Sequence, residues 1–247
     1  MLLAGPSPLS PPPTDVADAL ARGAAALGHR PAVTVLHPGA RYEQSGASLA
    51  NWAGKGAHLL ELDHLVGPGT VVGIDAPACW TTAAVALATW WLGGCVRPGA
   101  DPTDAVTVGH LAGAVDAPDA PLGGIEPALV VGDGLDGAPV PPGRHAAFTH
   151  EAQPLPDHPP GHHAAPDAVA LVSGGRSWTQ AELLARAATL GTGTLGLEAD
   201  RTDPVTALVA VALRPLVTGA ATVVLRGVAR EAAAGERVSA WCPTSDG

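Results

Sequence analysis

Lysine and aromatic side chains are nearly missing from this sequence. Lys55 is the single lysine among 13 Lys and Arg residues, and aromatic residues make up only 3% of the chain. The formal net charge is −10, and the arginines are scattered along the chain. Because no basic stripe can neutralise phosphates, the composition disfavours nucleic acid and anionic membrane surfaces as partners. A Walker A loop is excluded as well, since Lys55 stands in Gly-Lys-Gly instead of before Ser or Thr.

Cysteine is scarce too, with only Cys79, Cys95 and Cys242. An odd number without framework spacing is typical of reduced thiols, so we expect a cytoplasmic protein. The amino terminus has no basic stretch ahead of its short apolar start, and Pro6 interrupts that start. This pattern disfavours a signal peptide.

Long hydrophobic runs are limited to one uncharged stretch, Ala76 to Val96, which is long enough to span a bilayer. Pro77 and the pair Gly93-Gly94 divide this stretch. The punctuation predicts a strand, a buried helix and a second strand, and no membrane span.

What the chain does contain is enough apolar sequence for a core, since 47% of its residues are hydrophobic. Helical segments alternate with uniformly apolar strands, which predicts an α/β fold with two lobes of mostly parallel sheet flanked by helices. We expect a loose lead-in over 1–13, a first lobe over 14–131, a linker rich in Pro, Gly and His over 132–165, and a smaller second lobe over 166–247.

Periodicity and punctuation place the individual elements along the chain. Thr179 is the predicted N-cap of one helix, and Glu182 completes its capping box. The predicted helices cover 15–27, 48–62, 80–92, 103–112, 179–190 and 204–218, and the predicted strands cover 32–36, 70–74, 95–96, 128–131, 168–172, 221–225 and 238–242. The two halves echo each other faintly, which fits either an internal duplication or two generic α/β units.

Two segments match known sequence motifs, but such a match indicates a functional site only in the right structural context. Gly191 to Gly196 fits Gly-x-Gly-x-x-Gly, but it follows a predicted helix, so a helix C-cap and loop explains it better than a dinucleotide site. His162, His163 and Asp167 spell His-His-x-x-x-Asp, which resembles the condensation-type acyltransferase motif. Together with Asp157 and His158 these residues leave three alternatives open: an acyltransfer site, a metal site, or a solvated loop.

Five segments in order carry a resemblance to a known superfamily. They are Arg30–Val35, Ser48–Ala53, Gly67–Ile74, Trp80–Gly94 and Leu213–Leu225. Their succession resembles the amino-terminal part of the adenylate-forming (AMP-dependent synthetase/ligase, acyl-CoA synthetase-like) enzymes. The resemblance implies a short, truncated relative with the fold of their amino-terminal subdomains.

The resemblance also indicates where a nucleotide would bind. The superfamily holds ATP phosphates with a Ser/Thr/Gly-rich loop that ends in Pro-Lys-Gly, and the corresponding place here is Val172 to Trp178. Ser173, Gly174 and Gly175 are the candidate phosphate contacts through their backbone N–H groups, with Arg176 as a partial electrostatic substitute for lysine. The later superfamily motifs have no counterpart in this sequence, so ATP or AMP are expected at most as weakly bound ligands.

The sequence is compatible with three functions. The first is a degenerate AMP-binding-enzyme-like protein without ligase activity that keeps a weak nucleotide or acyl ligand cleft between its lobes. The second is a non-catalytic interaction module that docks a protein partner or a homologue. The third is a metal-dependent or acyl-transfer enzyme that uses the cluster from His158 to Asp167. The first hypothesis assigns no catalytic residue and no metal ligand.

Overall fold

The structure, a computed structural model, describes residues 8–99, 109–114, 129–132, 134 and 146–244, with only the backbone of 109–114. Within these residues the helices are α1 (Val16–Leu27), α2 (Gly46–Leu62), α3 (Trp80–Trp91), α4 (Phe148–Ala152), α5 (Gln180–Thr189), α6 (Pro204–Ala212) and α7 (Arg214–Thr218), with a 3₁₀ helix at Arg230–Glu236. The strands are β1 (Pro31–His37), β2 (Ala40–Ser45), β3 (Val71–Asp75), β4 (Cys95–Pro98), β5 (Gly109–Ala114), β6 (Leu129–Val131), β7 (Ala146–Ala147), β8 (Val169–Ser173), β9 (Arg176–Thr179), β10 (Leu195–Glu198), β11 (Thr222–Leu225) and β12 (Ala240–Trp241).

The strands form two sheets. The five-stranded sheet has the order β12-β10-β11-β1-β2, and the seven-stranded sheet has the order β7-β6-β5-β3-β4-β8-β9. Every pair is parallel except the hairpins β1–β2 and β8–β9. The predicted fold class, mostly parallel α/β with flanking helices, is therefore confirmed.

The chain repeats one order of elements twice. A hairpin, a helix, a strand, a helical segment and a second strand follow each other as β1-β2-α2-β3-α3-β4, and again as β8-β9-α5-β10-(α6, α7)-β11. Each hairpin adds to the sheet of the other repeat, because β1 pairs with β11 and β8 pairs with β4. Each sheet thus combines strands from both repeats.

Caps and breaks explain where the helices begin and end. Asp15 accepts a hydrogen bond from the Asp18 N–H at the start of α1, and Asp203 does the same for Thr206 at the start of α6. The single helix predicted over 204–218 is divided into α6 and α7. Pro215 has no N–H to donate to the carbonyl four residues earlier, so the helical hydrogen bonding is interrupted there.

The core lies between the sheets and the helices. Helix α3 packs against α2 and α6 and is buried over almost its whole surface, with Trp80 and Trp90 at 0% exposure. This explains the uncharged stretch 76–96, which supplies α3 and the start of β4. Among the described residues, no helix combines the length and the apolar character needed to cross a membrane.

Part of the predicted linker over 132–165 is anchored to the core. Phe148 in α4 is fully buried, and residues 153–164 lie against α2 and α3. Lys55 Nζ donates to the carbonyls of Gln153 and Leu155, and Trp91 Nε1 donates to the carbonyl of Pro160 at 3.0 Å.

Several predicted elements differ from the observed ones. Strands β2, β9 and β10 were not predicted, and the helix predicted over 103–112 is wrong at 109–112, which belongs to β5, while 103–108 lie outside the described residues. Of the lead-in, residues 1–7 also lie outside them. Residues 8–13 contact the rest of the protein at two points: Pro13 is buried, and the Leu9 N–H donates to the Val217 carbonyl.

Candidate functional site at the carboxyl edge of the two sheets

A cavity of about 400 Å³ lies where the two sheets meet. Its walls come from both repeats, namely Ile74, Asp75, Ala76, Pro77, Ala78, Thr82, Pro98, Gly99, Ala199, Asp200, Thr202, Pro204, Ala207 and Leu208. A volume of this size matches pockets that take small organic ligands. We call it the edge pocket.

Topology explains why a pocket forms at this place. In the seven-stranded sheet the connections run from β3 to β4 on one side and then cross to β5 on the other, so the strand order reverses at β3. The order reverses in the same way at β10 in the five-stranded sheet. Ligand crevices in open α/β sheets occur outside the carboxyl ends of strands at such reversals. The edge pocket lies at both reversals at once.

The two reversals share the same local order of elements. A short loop leads from β3 to α3, whose N-cap is Cys79, and another leads from β10 to α6, whose N-cap is Asp203. The Thr82 hydroxyl is occupied, because it accepts from the Cys79 N–H at 2.9 Å. The signal that could have revealed the pocket is this repeat of a strand, a short loop and a capped helix.

The lining is largely apolar, with a few polar groups. Asp75 and Asp200 are exposed carboxylates, whereas Thr202 is only 6% exposed. The Thr202 hydroxyl has no hydrogen-bond partner among the described residues. This oxygen is inaccessible to solvent, so other atoms of Thr202 line the pocket.

The predicted phosphate loop has become a two-residue turn between β8 and β9. Gly174 and Gly175 both have positive φ values, 56° and 75°, and Ser173 pairs with Arg176 at the end of the ladder. Two central residues with positive φ are typical of tight hairpin turns. The Arg176 guanidinium stacks over the Trp178 ring at 4.7 Å from its centroid. The structure therefore brings all four predicted residues together, at an exposed turn.

This turn and the edge pocket share one edge of the sheet. Strand β8 runs parallel to β4 with Leu171 opposite Val96, so Ser173 is level with Pro98. Neighbouring strands lie about 5 Å apart. The turn therefore stands beside Pro98 and Gly99, which line the pocket.

The histidines of the candidate cluster have separate partners. His162 Nε2 lies 3.1 Å from Glu61 Oε1, the His163 ring packs on Trp91 at 5.7 Å between centroids, and His158 contacts His58. His158 Nδ1 and Asp157 Oδ1 are 3.9 Å apart, on two exposed side chains. Within the part of the chain that the structure describes, no group of three or more His, Cys, Asp or Glu side chains could hold a metal ion.

The remaining candidate motifs are structural. Residues 191–194 connect the end of α5 to β10, so the Gly-x-Gly-x-x-Gly segment does not open a helix and cannot present helix N–H groups to a pyrophosphate. None of the three cysteines, all of which the structure describes, forms a disulfide, and all three are buried. Burial raises the pKa of the Cys95 thiol and that of the Cys242 thiol to about 11, which leaves both protonated at neutral pH.

Comparison with known proteins identifies the fold. A "TIGR03089 family protein" of Mycobacterium tuberculosis (strain ATCC 25618 / H37Rv) is 47% identical over 55 residues, which are 22% of this chain and 23% of that protein. An acyl-CoA synthetase of Brucella canis superposes with a TM-score of 0.68 at 15% identity, over 92% of this chain and 50% of that one. No protein-family model matches the chain.

Two further structures agree with this result. A Mycobacterium tuberculosis fatty acyl CoA synthetase gives a TM-score of 0.67 at 14% identity, over 92% of this chain and 49% of that one. The NpsA N-terminal subdomain of Klebsiella oxytoca gives 0.61 at 15% identity, over 92% of this chain and 60% of that one. The predicted resemblance is confirmed at the level of the fold: this chain has the fold of the amino-terminal part of adenylate-forming enzymes. The 55 matched residues cover about a quarter of the curated relative, and the chain spans about half of the acyl-CoA synthetases.

Proposed function

We propose that this chain is a binding protein for a small, largely apolar ligand, and that it has no ligase activity. The edge pocket supports the ligand-binding part of this proposal, because it is a cavity of about 400 Å³ with largely apolar walls. Several of the proteins with this fold are named as acyl-CoA synthetases, which supports an acyl chain or another carbon chain as the ligand.

The turn between β8 and β9 supports the proposed absence of ligase activity. A loop that binds nucleotide phosphates surrounds them with several successive N–H groups. Here only Gly174 and Gly175 stand outside the ladder, and Arg176 is stacked on Trp178. The residues present do not form a cradle for a triphosphate, so we expect ATP or AMP to contact Ser173, Gly174, Gly175 and Arg176 only weakly, with a Kd of about 1 mM or higher.

Ligand binding in the edge pocket is tested by calorimetric titration with an uncharged probe, hexan-1-ol. The Ala76→Leu variant places a larger side chain in the pocket wall, and Ala168→Leu is the matched control at a similarly half-buried alanine outside the pocket. We expect saturable binding to the native protein and to Ala168→Leu, and a loss of binding in Ala76→Leu. Equal binding by all three folded proteins would place the probe elsewhere and refute the proposal.

The proposed absence of ligase activity is tested with Mg·ATP. We expect no exchange of pyrophosphate into ATP in the presence of carboxylic acids of graded chain length, because the phosphates are not positioned. Calorimetry with Mg·ATP and AMP, on the native chain and on Ser173→Ala and Arg176→Ala, measures any residual contact. Exchange that disappears in Arg176→Ala would show that the turn still serves catalysis and would overturn this half.

One observation favours an interaction module as the second candidate. Leu62 and Leu65, near the carboxyl end of α2, are 63% and 82% exposed. Apolar side chains left in water are expected where a partner binds, although two leucines make only a small patch. Light scattering on native protein and on a Leu62→Ser, Leu65→Ser double variant discriminates, since only a self-associating module would change its mass.

A further inference from the structure

The large apolar side chains that stay exposed all stand at one edge of the seven-stranded sheet. Among the described residues they are Leu62, Leu65 and Val169, at 63%, 82% and 46% exposure, and we call them the amino-edge surface. We propose that this surface docks a segment of another protein that carries Lys or Arg beside apolar side chains. The inference rests on the second candidate function, the interaction module, and not on the edge pocket.

The register of the sheet brings the three side chains to the same edge. Leu62 and Leu65 precede β3, in which Val71 pairs with Cys95 of β4, and Val96 of β4 pairs with Leu171 of β8. Val169 therefore lies two strands away from the point where the leucine loop enters β3. Since neighbouring strands lie about 5 Å apart, that separation is about 10 Å.

Leu65 is held in water by a backbone that favours glycine. Its φ is 53°, and the turn that leaves α2 is closed by the Val66 N–H, which donates to the Leu60 carbonyl at 2.9 Å. A residue with a Cβ atom is disfavoured in this left-handed conformation, which glycine adopts readily. The leucine side chain therefore strains the turn and buries little of its own surface. A strained and exposed apolar residue of this kind indicates a contact made outside the chain.

The charges around the amino-edge surface have one sign. The described segments at this edge are 61–70, 91–95, 162–169 and 179–182. They contain four carboxylates and no lysine or arginine. Glu61 lies 3.1 Å from His162, and Glu182 caps α5, so these two have partners within the chain. The side chains of Asp63 and Asp167 are exposed and flank the apolar residues in sequence.

The chemistry of the partner follows from both properties. Apolar side chains on the partner would cover the leucines, and Lys or Arg beside them would meet Asp63 and Asp167. A second copy of this chain fits less well. A symmetric interface would bring the same carboxylates together, and each copy has a net charge of −10.

The first test compares three labelled peptides of equal length by fluorescence anisotropy at neutral pH. One is built from leucine and lysine at helical spacing, one has glutamate in place of lysine, and one has serine in place of leucine. We expect the leucine and lysine peptide to bind about tenfold more tightly than either of the others. Equal binding of the glutamate peptide or of the serine peptide would overturn the inference.

A variant at Leu65 separates docking from folding. We expect Leu65→Gly to bind the leucine and lysine peptide about fivefold to tenfold more weakly, while it melts at or above the temperature of the native protein. Ala25→Ser, at an exposed alanine of α1, is the control and should bind like the native protein. Unchanged binding by Leu65→Gly, or an equal loss in both variants, would overturn the inference.

Charge variants locate the electrostatic part. Asp63→Asn with Asp167→Asn is expected to weaken the leucine and lysine peptide about fivefold. Glu151→Gln with Glu231→Gln removes the same charge at exposed positions outside these segments and should have a smaller effect. An equal loss in both pairs would assign binding to net charge and overturn the inference.

Light scattering identifies the other possible occupant. A native dimer that Leu65→Gly converts to a monomer would make a second copy the partner and overturn the inference, while it would support the interaction module. No peptide binding together with an unchanged mass would overturn the module as well. Neither result changes the hexan-1-ol titration, which tests the edge pocket separately.

Discussion

Arg214 is a fully buried cation held by oxygen atoms of the backbone. Its guanidinium donates to the carbonyls of Leu190, Gly193, Ala220 and Ala221, and also to the Thr222 hydroxyl. Burial lowers the pKa of Arg214 to about 10, which still leaves the guanidinium charged at neutral pH. One side chain thereby ties the start of α7 to the loops before β10 and β11.

Replacing Arg214 therefore leaves several buried carbonyls without donors. We expect Arg214→Met to lower the free energy of unfolding by about 3 kcal/mol, because each orphaned acceptor carries its own penalty. The exposed Arg201 provides the comparison, and Arg201→Met should stay within about 0.5 kcal/mol of the native protein. Urea denaturation followed by tryptophan fluorescence measures both, and a deficit below about 1 kcal/mol in Arg214→Met would contradict this account.

At the scale of elements, the capping box of α5 was visible in the sequence. The Thr179 hydroxyl accepts from the Glu182 N–H at 3.2 Å, and Glu182 Oε2 accepts from the Thr179 N–H at 2.8 Å. We expect Thr179→Ala to cost about 1 kcal/mol of stability. Ser177→Ala, two residues earlier on the exposed face of β9, is the control in the same denaturation series and should be close to neutral.

The same box makes part of the stability depend on pH. The hydrogen bonds from Thr179 lower the pKa of Glu182 below its ordinary value of 4.5. A carboxyl group with a lowered pKa in the folded state stabilises the protein above its unfolded pKa, and that contribution is lost as the pH falls through the folded pKa. Glu182→Gln should thus be less stable than the native protein at neutral pH and equal to it in acid. If the stability difference between Glu182→Gln and the native protein stayed constant from neutral to acidic pH, the ionised Glu182 carboxylate would not be its cause.

Close packing of residues 153–164 on α2 depends on a glycine. A Cβ atom at Gly54 would lie 2.6 Å from the Asp157 carbonyl oxygen, whereas one at Gly67 would meet nothing within 4 Å. We expect Gly54→Ala to destabilise the protein by about 1–3 kcal/mol through overpacking, despite the better helix propensity of alanine. Gly67→Ala should be neutral, and thermal unfolding of the two variants compares them directly.

Long periodic helices and uniformly apolar strands could be predicted from the sequence, and short strands without such a local signal could not. Helices α1, α2, α3 and α5 lie within two residues of their predicted bounds, since their caps and apolar faces are local signals. Strand β10 was missed because Leu195 to Glu198 is only four residues long and follows a glycine-rich loop. Its identity as a central strand depends on pairing with β11 and β12, which no local pattern encodes.

The candidate site was predictable only in part for a similar reason. The assignment of Ser173 to Arg176 as phosphate contacts comes from the resemblance and stays a prediction, whereas the turn geometry follows from the pairing of β8 with β9. A ligand cleft between the lobes was expected without any of the residues that line the edge pocket, because Ile74 and Leu208 are far apart in sequence and meet only after both sheets form. Its polar groups, such as Thr202, stand in ordinary loops and carry no motif.

At the scale of the whole molecule, the exchanged hairpins make each half dependent on the other. Residues 8–132 lack β11, the parallel partner of β1, and residues 146–244 lack β4, the partner of β8. We expect each fragment alone to be largely unfolded, and an equimolar mixture to recover the circular dichroism of the intact chain. A cooperative thermal transition in the isolated 146–244 fragment would contradict the interleaved arrangement, and separately folded lobes would give that result.

The exchange also sets an order for synthesis on the ribosome. Val33 pairs with Thr222, so β1 leaves the exit tunnel long before its parallel neighbour is synthesised. During that time β1 and β2 form a hairpin with one edge open, and unpaired edges are sites of aggregation. The nascent chain is therefore expected to need shielding by chaperones until β11 has been translated.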